Sequence, residues 1–335
     1  MYRLVPSLCA MLALSAAIGP ALAADYGDDY SDSLRPSYPD NWDQGDDKSL
    51  GFEAGLRYWY SAGEDKWNLA GSDYNSTDKT SSGELALRID DYTTNSYVKG
   101  LAGYSMAIDG DATSPFGGYD VNGGHIGYAG ADFGWSPFGG TGNGSGIYGL
   151  VGYHYWNESP DMGRANFTTA ESSADVNWPA GAATPGVPGD SEPNNINIHA
   201  LRLGFSGKAQ INEFIDVSGE IAAVPYAWVN GTFGAFGTPI TGASGVNFSQ
   251  QGSAATVDGT GYGAMGELMV GFHPTDNMVV RLGGRAWYLQ GRTNSTFSRV
   301  NVTQAGGFSK QNYISSNNPF SLFRYGLLAE MSYKF

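Results

Sequence analysis

The sequence predicts an all-β fold: a transmembrane antiparallel up-and-down β-barrel of about ten strands, with long outer loops and short periplasmic turns. Three observations carry this. Apolar and polar residues alternate with period two in segment after segment from Leu50 onward. The connections between those segments are alternately long and short. After an export signal, no apolar run approaches the ~20 residues a spanning helix needs.

The export signal comes first. Residues 1–23 hold one early cation, Arg3, then an apolar run, then Ala21-Leu22-Ala23. That pattern reads as a secretory signal peptide cleaved after Ala23. Cys9 is the sole cysteine and lies ahead of most of the apolar run, so a lipid anchor is not expected. The processed chain would have no thiol for a disulfide or a Cys-based metal site. Residues 24–49 contain YGDDYSD and DNWDQGDD and little to bury. They are expected to form a disordered acidic periplasmic tail. Residues 50–335 remain for the barrel. The chain has 335 residues and a net charge of −15, which argues against nucleic acid as a partner.

The alternation places ten strands at about 50–60, 83–91, 96–108, 124–134, 146–156, 196–209, 214–229, 260–272, 277–290 and 321–335. In GFEAGLRYWY, Phe52, Ala54, Leu56, Tyr58 and Tyr60 share one face; Glu53, Gly55, Arg57 and Trp59 share the other. Leu85, Leu87 and Ile89 likewise oppose Glu84, Arg88 and Asp90. The gaps 61–82, 109–123, 157–195, 230–259 and 291–320 read as long surface loops. The 230–259 gap or the third loop has room for one more hairpin, which would give twelve strands. Short turns fall at 92–95, 211–213 and 274–276, and the Gly-rich stretch around Gly139 is longer.

In a membrane barrel the polar face must line the lumen, because the other face meets lipid. The expected lumen charges are Glu53, Arg57, Glu84, Arg88, Glu220, Glu267, Arg281, Arg285 and Glu330. Asp90, Lys99, Arg202, Lys208, Asp216, Arg324 and Lys334 lie on the same face. Acids and bases nearly balance, and unpaired charges in a narrow interior are costly. The lumen should therefore be plugged by ion pairs. Tyr58, Tyr60, Tyr153, Tyr155 and Tyr288 fall near the long-loop ends; Phe133, Trp135, Phe272, Tyr333 and Phe335 fall near the short-turn ends. Two such bands predict interfacial girdles.

The last stretch, Arg324 to Phe335, reads RYGLLAEMSYKF. It resembles the C-terminal β-signal of Gram-negative outer-membrane proteins. Arg324, Gly326, Met331, Tyr333 and Phe335 supply its elements. The resemblance implies the barrel-assembly machinery as a partner. Gly55 to Ser61, Val151 to Glu158 and Gly283 to Leu289 are similar to outer-membrane barrels of alphaproteobacteria. Ten strands also resemble the omptin fold, a family of surface aspartyl-type proteases. Omptins use Asp-x-Asp at the second outer loop and Asp-x-His at the fourth. Asp109-Gly110-Asp111 matches the first element. The fourth loop, 230–259, contains no His; His199, in Asn197-Ile198-His199, is the nearest candidate but enters a strand. Without that His the usual way of activating water is missing.

Other chemistry is weaker. Gly261 to Gly266 spells G-x-G-x-x-G inside a strand, where a nucleotide site needs a strand-to-helix turn. Asp109, Asp111, Asp120 and Asn122 offer oxygens without a calcium-loop spacing. His154 is expected in the lumen, bonded to a neighbouring carboxylate. No cofactor or metal is expected. The expectation is a non-enzymatic outer-membrane barrel with envelope-structural and surface-loop interaction roles. An omptin-like protease and a small-solute channel are the alternatives. Outer-membrane lipid, lipopolysaccharide and a surface ligand or host partner are the expected contacts.

Overall fold

The computed structural model describes residues 50–69, 71–114, 117–137, 145–161, 194–233, 248–251, 255–302 and 308–335. The expected signal peptide, the acidic segment 24–49 and the Pro- and Gly-rich part of the third loop lie outside them.

Twelve strand segments are present: β1 (Leu50–Leu69), β2 (Ser72–Asp91), β3 (Ser96–Ser114), β4 (Gly117–Asn122), β5 (Gly124–Trp135), β6 (Gly146–Pro160), β7 (Asn195–Asn212), β8 (Ile215–Phe233), β9 (Phe248–Gln251), β10 (Ala255–Phe272), β11 (Met278–Val302) and β12 (Phe308–Lys334). β4 and β5 run end to end along β3, and β9 and β10 along β11. The segments therefore make ten wall strands, not twelve. Every wall strand is antiparallel to its chain neighbours, and β12 returns to pair with β1. Closure pairs each wall strand on both sides through the belt, while β4, β9 and the upper part of β12 pair on one side among the described residues.

Period-two alternation sets the two faces of the wall. Leu56, Leu85, Leu87, Leu203, Phe205, Ile221, Leu268, Leu282 and Leu327 are exposed on the outside. An apolar belt of this kind is stable against lipid and not against water. Tyr58, Tyr60, Tyr153, Tyr226, Trp228, Tyr262 and Tyr288 ring its upper edge; Phe133, Trp135, Phe214, Phe272, Tyr333 and Phe335 ring its lower edge. From Tyr325 to Phe335, at ~3.4 Å per residue and a tilt of ~40°, the belt is roughly 26 Å tall.

The strands are much longer than the alternation suggests. Segment 61–82, expected as a loop, is a continuous hairpin that turns at Gly71 with φ 83°. β3 runs to Ser114, and β11 and β12 extend to Val302 and from Phe308. The physical reason is visible in Ser72 to Thr80, SDYNSTDKT. Above the belt the outer face meets water, so Asp73, Asn75, Thr77 and Lys79 are polar and exposed. The inner face there carries Ser76, Asp78 and Thr80. With both faces polar, the contrast that marks a strand disappears.

Inside these extensions lies a packed apolar core. Trp67 stacks on Phe320 with ring centroids 4.9 Å apart, and Phe233 meets both Trp67 and Tyr74. Ile196, Ile198, Val229, Val257, Leu289 and Leu322 are buried beside them.

Candidate functional site: the charged lumen

Below that core the lumen is built in layers, each supplied by inward positions at one height. The lowest charged layer gathers β1, β2, β8, β11 and β12. Arg281 binds Glu53, Glu330 and Asp216. His273, at the start of the turn after β10, places Nε2 2.8 Å from Asp216 Oδ2. Arg88 holds Asp90 with Nε and Nη2 and lies 3.9 Å over the Tyr97 ring.

The middle layer crosses the barrel. Arg57 joins Glu330 and Glu267. Arg285 reaches Glu267 and Glu84, at 2.8 and 2.6 Å. Lys99 and Arg202 share Glu220, and Arg202 also takes both oxygens of Asp132. Arg57–Glu330, Arg285–Glu267 and Arg202–Glu220 bridge adjacent strands, while Arg57–Glu267, Arg285–Glu84, Lys99–Glu220 and Arg202–Asp132 join strands that are not neighbours. They tie the wall across its interior as well as along its ladders. All nine lumen charges singled out in the sequence are ion-paired, Arg88 with Asp90 on its own strand and the other eight between strands.

An aromatic layer follows. Trp156 stacks on Tyr128 at 4.6 Å and packs against Trp287 at 4.7 Å; Trp59 meets both Tyr128 and Trp156 edge-on. His154 belongs here and not to a carboxylate. Its ring lies flat against Tyr128 and Trp156, and neither ring nitrogen has a hydrogen-bond partner. The expected His–carboxylate bond is absent: aromatic rings flank His154, and the carboxylates of Asp132 and Glu220 on the same cavity are held by Arg202 and Lys99. Above this layer Arg324 binds Asp78 with both Nη atoms, at 2.8 and 2.7 Å.

The protease candidates are not brought together. Asp109 and Asp111 are exposed on the outer wall of β3, because a bulge opposite Ser81 and Ser82 turns them outward. Their ladder neighbours are Asn122 and Asp120. His199 is on the outer face of β7, with the β4–β5 strand and β6 between it and β3. Its Nδ1 is 2.6 Å from the Tyr153 hydroxyl, and its ring stacks on Trp228. Among the described residues no group of three or more His, Cys, Asp or Glu is placed to hold a metal ion.

Sequence reasoning missed the aromatic layer and the Asp78–Arg324–Glu158 cluster. Trp59, Tyr128, Trp156 and Trp287 stand at inward positions of the alternation, and that parity was the available signal.

No family model matches the chain, and no curated relative does. Among solved structures, the outer membrane protease OmpT of Escherichia coli is similar at a TM-score of 0.52 and 9% identity, covering 87% of this chain and 98% of that one. The translocator domain of the autotransporter NalP from Neisseria meningitidis matches at 0.33 and 13% identity, covering 85% and 88%. The outer membrane protein OprG from Pseudomonas aeruginosa matches at 0.29 and 10% identity, covering 85% and 95%. At 9% identity the likeness to OmpT is one of fold, and that fold is a closed ten-strand barrel of the outer-membrane type.

Proposed function

We propose that this chain is a sealed, non-enzymatic barrel of the outer membrane. It serves as an envelope-structural element whose outer end carries an interaction role. One observation carries the reading: ion-paired, aromatic and apolar layers succeed one another along the lumen, from Arg281 and Glu53 at one end to Trp67 and Phe320 at the other. Such a filling supports rigidity and favours a closed lumen over an open pore. The short-turn end then faces the periplasm, and lipid and lipopolysaccharide surround the belt. Arg324, Gly326, Met331, Tyr333 and Phe335 are the residues the assembly machinery would read. The outward placement of Asp109, Asp111 and His199 supports no hydrolytic constellation.

The test is planar-bilayer recording of the purified, refolded chain. A silent bilayer is expected. Stepwise conductance would overturn the sealed reading in favour of a small-solute channel. Cleavage of basic peptides that Asp109→Asn abolishes would overturn the non-enzymatic reading.

A further inference from the structure

The lowest part of the lumen holds a cavity of about 70 Å³, bounded by Glu53, Arg57, Arg88, Lys208, Ser218 and Arg281 among others. It has room for a few waters or one small ion, far below the ~300 Å³ that a drug-sized ligand needs. Small residues, Gly55, Ala86, Gly207 and Gly219, open it.

Its charges do not cancel locally. Every carboxylate on its wall is already held. Glu53 is taken by Arg281 and the Ser332 hydroxyl. Glu220 is taken by Lys99 and Arg202. Glu267 is taken by Arg57 and Arg285, and Glu330 by Arg57 and Arg281. Arg88 is spent on Asp90 and the Tyr97 ring. Lys208 stands apart: among the described residues none lies within ion-pair or hydrogen-bond distance of its ammonium. An ammonium offers three donors and no acceptor. Lys208 is half-buried on the cavity wall, and a cation without a protein acceptor there offers its donors to whatever occupies the cavity.

The cavity sits near the short-turn end. Lys208 is close to the end of β7 at Asn212, and Arg88 close to the end of β2 at Asp91. Arg88, beside that end, keeps 20% of its side chain exposed.

We infer that this chamber is a binding site for a small oxyanion that enters from the short-turn end, with the Lys208 ammonium as its counter-charge and the Ser218 hydroxyl as a further donor. Oxygens on several sides suit donors that converge from β7 and β8, and phosphate is the simplest such ion. The site is a dead end under the layers above, so it binds without conducting.

The experiment is calorimetric titration of the refolded full chain with inorganic phosphate at constant ionic strength, with acetate and chloride as parallel arms. Saturable one-site phosphate binding is expected in the wild type. Lys208→Met should weaken it at least ~10-fold, as loss of a charged hydrogen-bond donor does, while Lys208→Arg should retain it. Lys79→Met, on the exposed outer wall, should bind as the wild type does. Preferential acetate binding would assign the site to a carboxylate. No saturable oxyanion heat, binding by chloride alone, or full affinity in Lys208→Met would overturn the proposal. If Lys208→Met does not refold, Ser218→Val with weakened binding and Lys208→Arg with retained binding support it; unchanged binding in Ser218→Val or lost binding in Lys208→Arg overturns it. Bilayer conductance is independent of all these outcomes.

Discussion

Arg324 on β12 reaches across the barrel to Glu158 on β6, with Nη2 3.2 Å from Oε1, while the same guanidinium grips Asp78 on β2. One side chain thus joins three separate strands within a buried layer.

Removing that cation strands two buried carboxylates. Arg324→Met should destabilise the barrel by about 3–5 kcal/mol, the range for a buried pair that loses one partner. The measurement is the temperature at which the refolded protein loses its compact gel mobility. Arg324→Met with Asp78→Leu should recover part of the loss, because one stranded charge is gone. If Arg324→Met melts like the wild type, Arg324 does not hold the layer.

Gly326 has a packing reason independent of any recognition role. It faces Ser61 on β1 and Arg285 on β11. A Cβ there would fall inside contact distance of the Tyr60 carbonyl oxygen and the Ser61 Cα, both backbone atoms. Gly326→Ala should cost about 1–3 kcal/mol, as overpacking does. It should lower refolding yield in detergent, where no assembly machinery acts. A defect confined to cells would assign Gly326 to recognition instead.

Much of the wall was legible because lipid imposes a rule that residues must state openly. Leu85, Leu87 and Ile89 against Glu84, Arg88 and Asp90 gave the faces of β2. The pairing of Arg57 with Glu330 across β1 and β12 follows from strand order once the barrel closes. The upper third was not legible. There Asp73, Asn75 and Thr77 face water while Asp78 and Thr80 face inward, so nothing in composition separates inside from outside. The outward turn of Asp109 was hidden for another reason. A one-residue bulge at Met106 of β3, opposite Ser81 and Ser82, flips every β3 side chain beyond it, and single-sequence alternation does not reveal it.

Asp91 organises the turn Tyr92–Asn95. Its carboxylate accepts hydrogen bonds from the Thr94 hydroxyl at 2.8 Å and from the Thr93 and Thr94 amides at 2.9 and 3.2 Å. The Thr94 hydroxyl, with both amides, holds the carboxyl below its ordinary value of 3.8 despite opposing desolvation. A depressed folded value means the contribution is fully present above the unfolded pKa and is lost as pH falls through the folded one. The Thr93 and Thr94 amides should therefore stay protected through neutral and mildly acidic pH and lose protection only below about pH 4. Amide exchange read by NMR checks this. Asp91→Ala should remove the protection at every pH.

Trp67 tests whether the lumen is closed by one plug or by several. Its ring stacks on Phe320, 14° from parallel, and packs against Phe233 at 5.8 Å. Trp67→Ala removes the centre of the apolar layer and should cost about 3–5 kcal/mol, as large aromatic truncations do. Conductance should not follow. Arg324 with Asp78 and Glu158, and Trp59 with Tyr128 and Trp156, still lie below the new cavity. Thermal melting should fall while planar-bilayer recordings stay silent. If Trp67→Ala alone produced discrete conductance steps, the deeper layers would not be sealing the barrel. The closure would then belong to the apolar layer, and its removal would mark the gate of a channel.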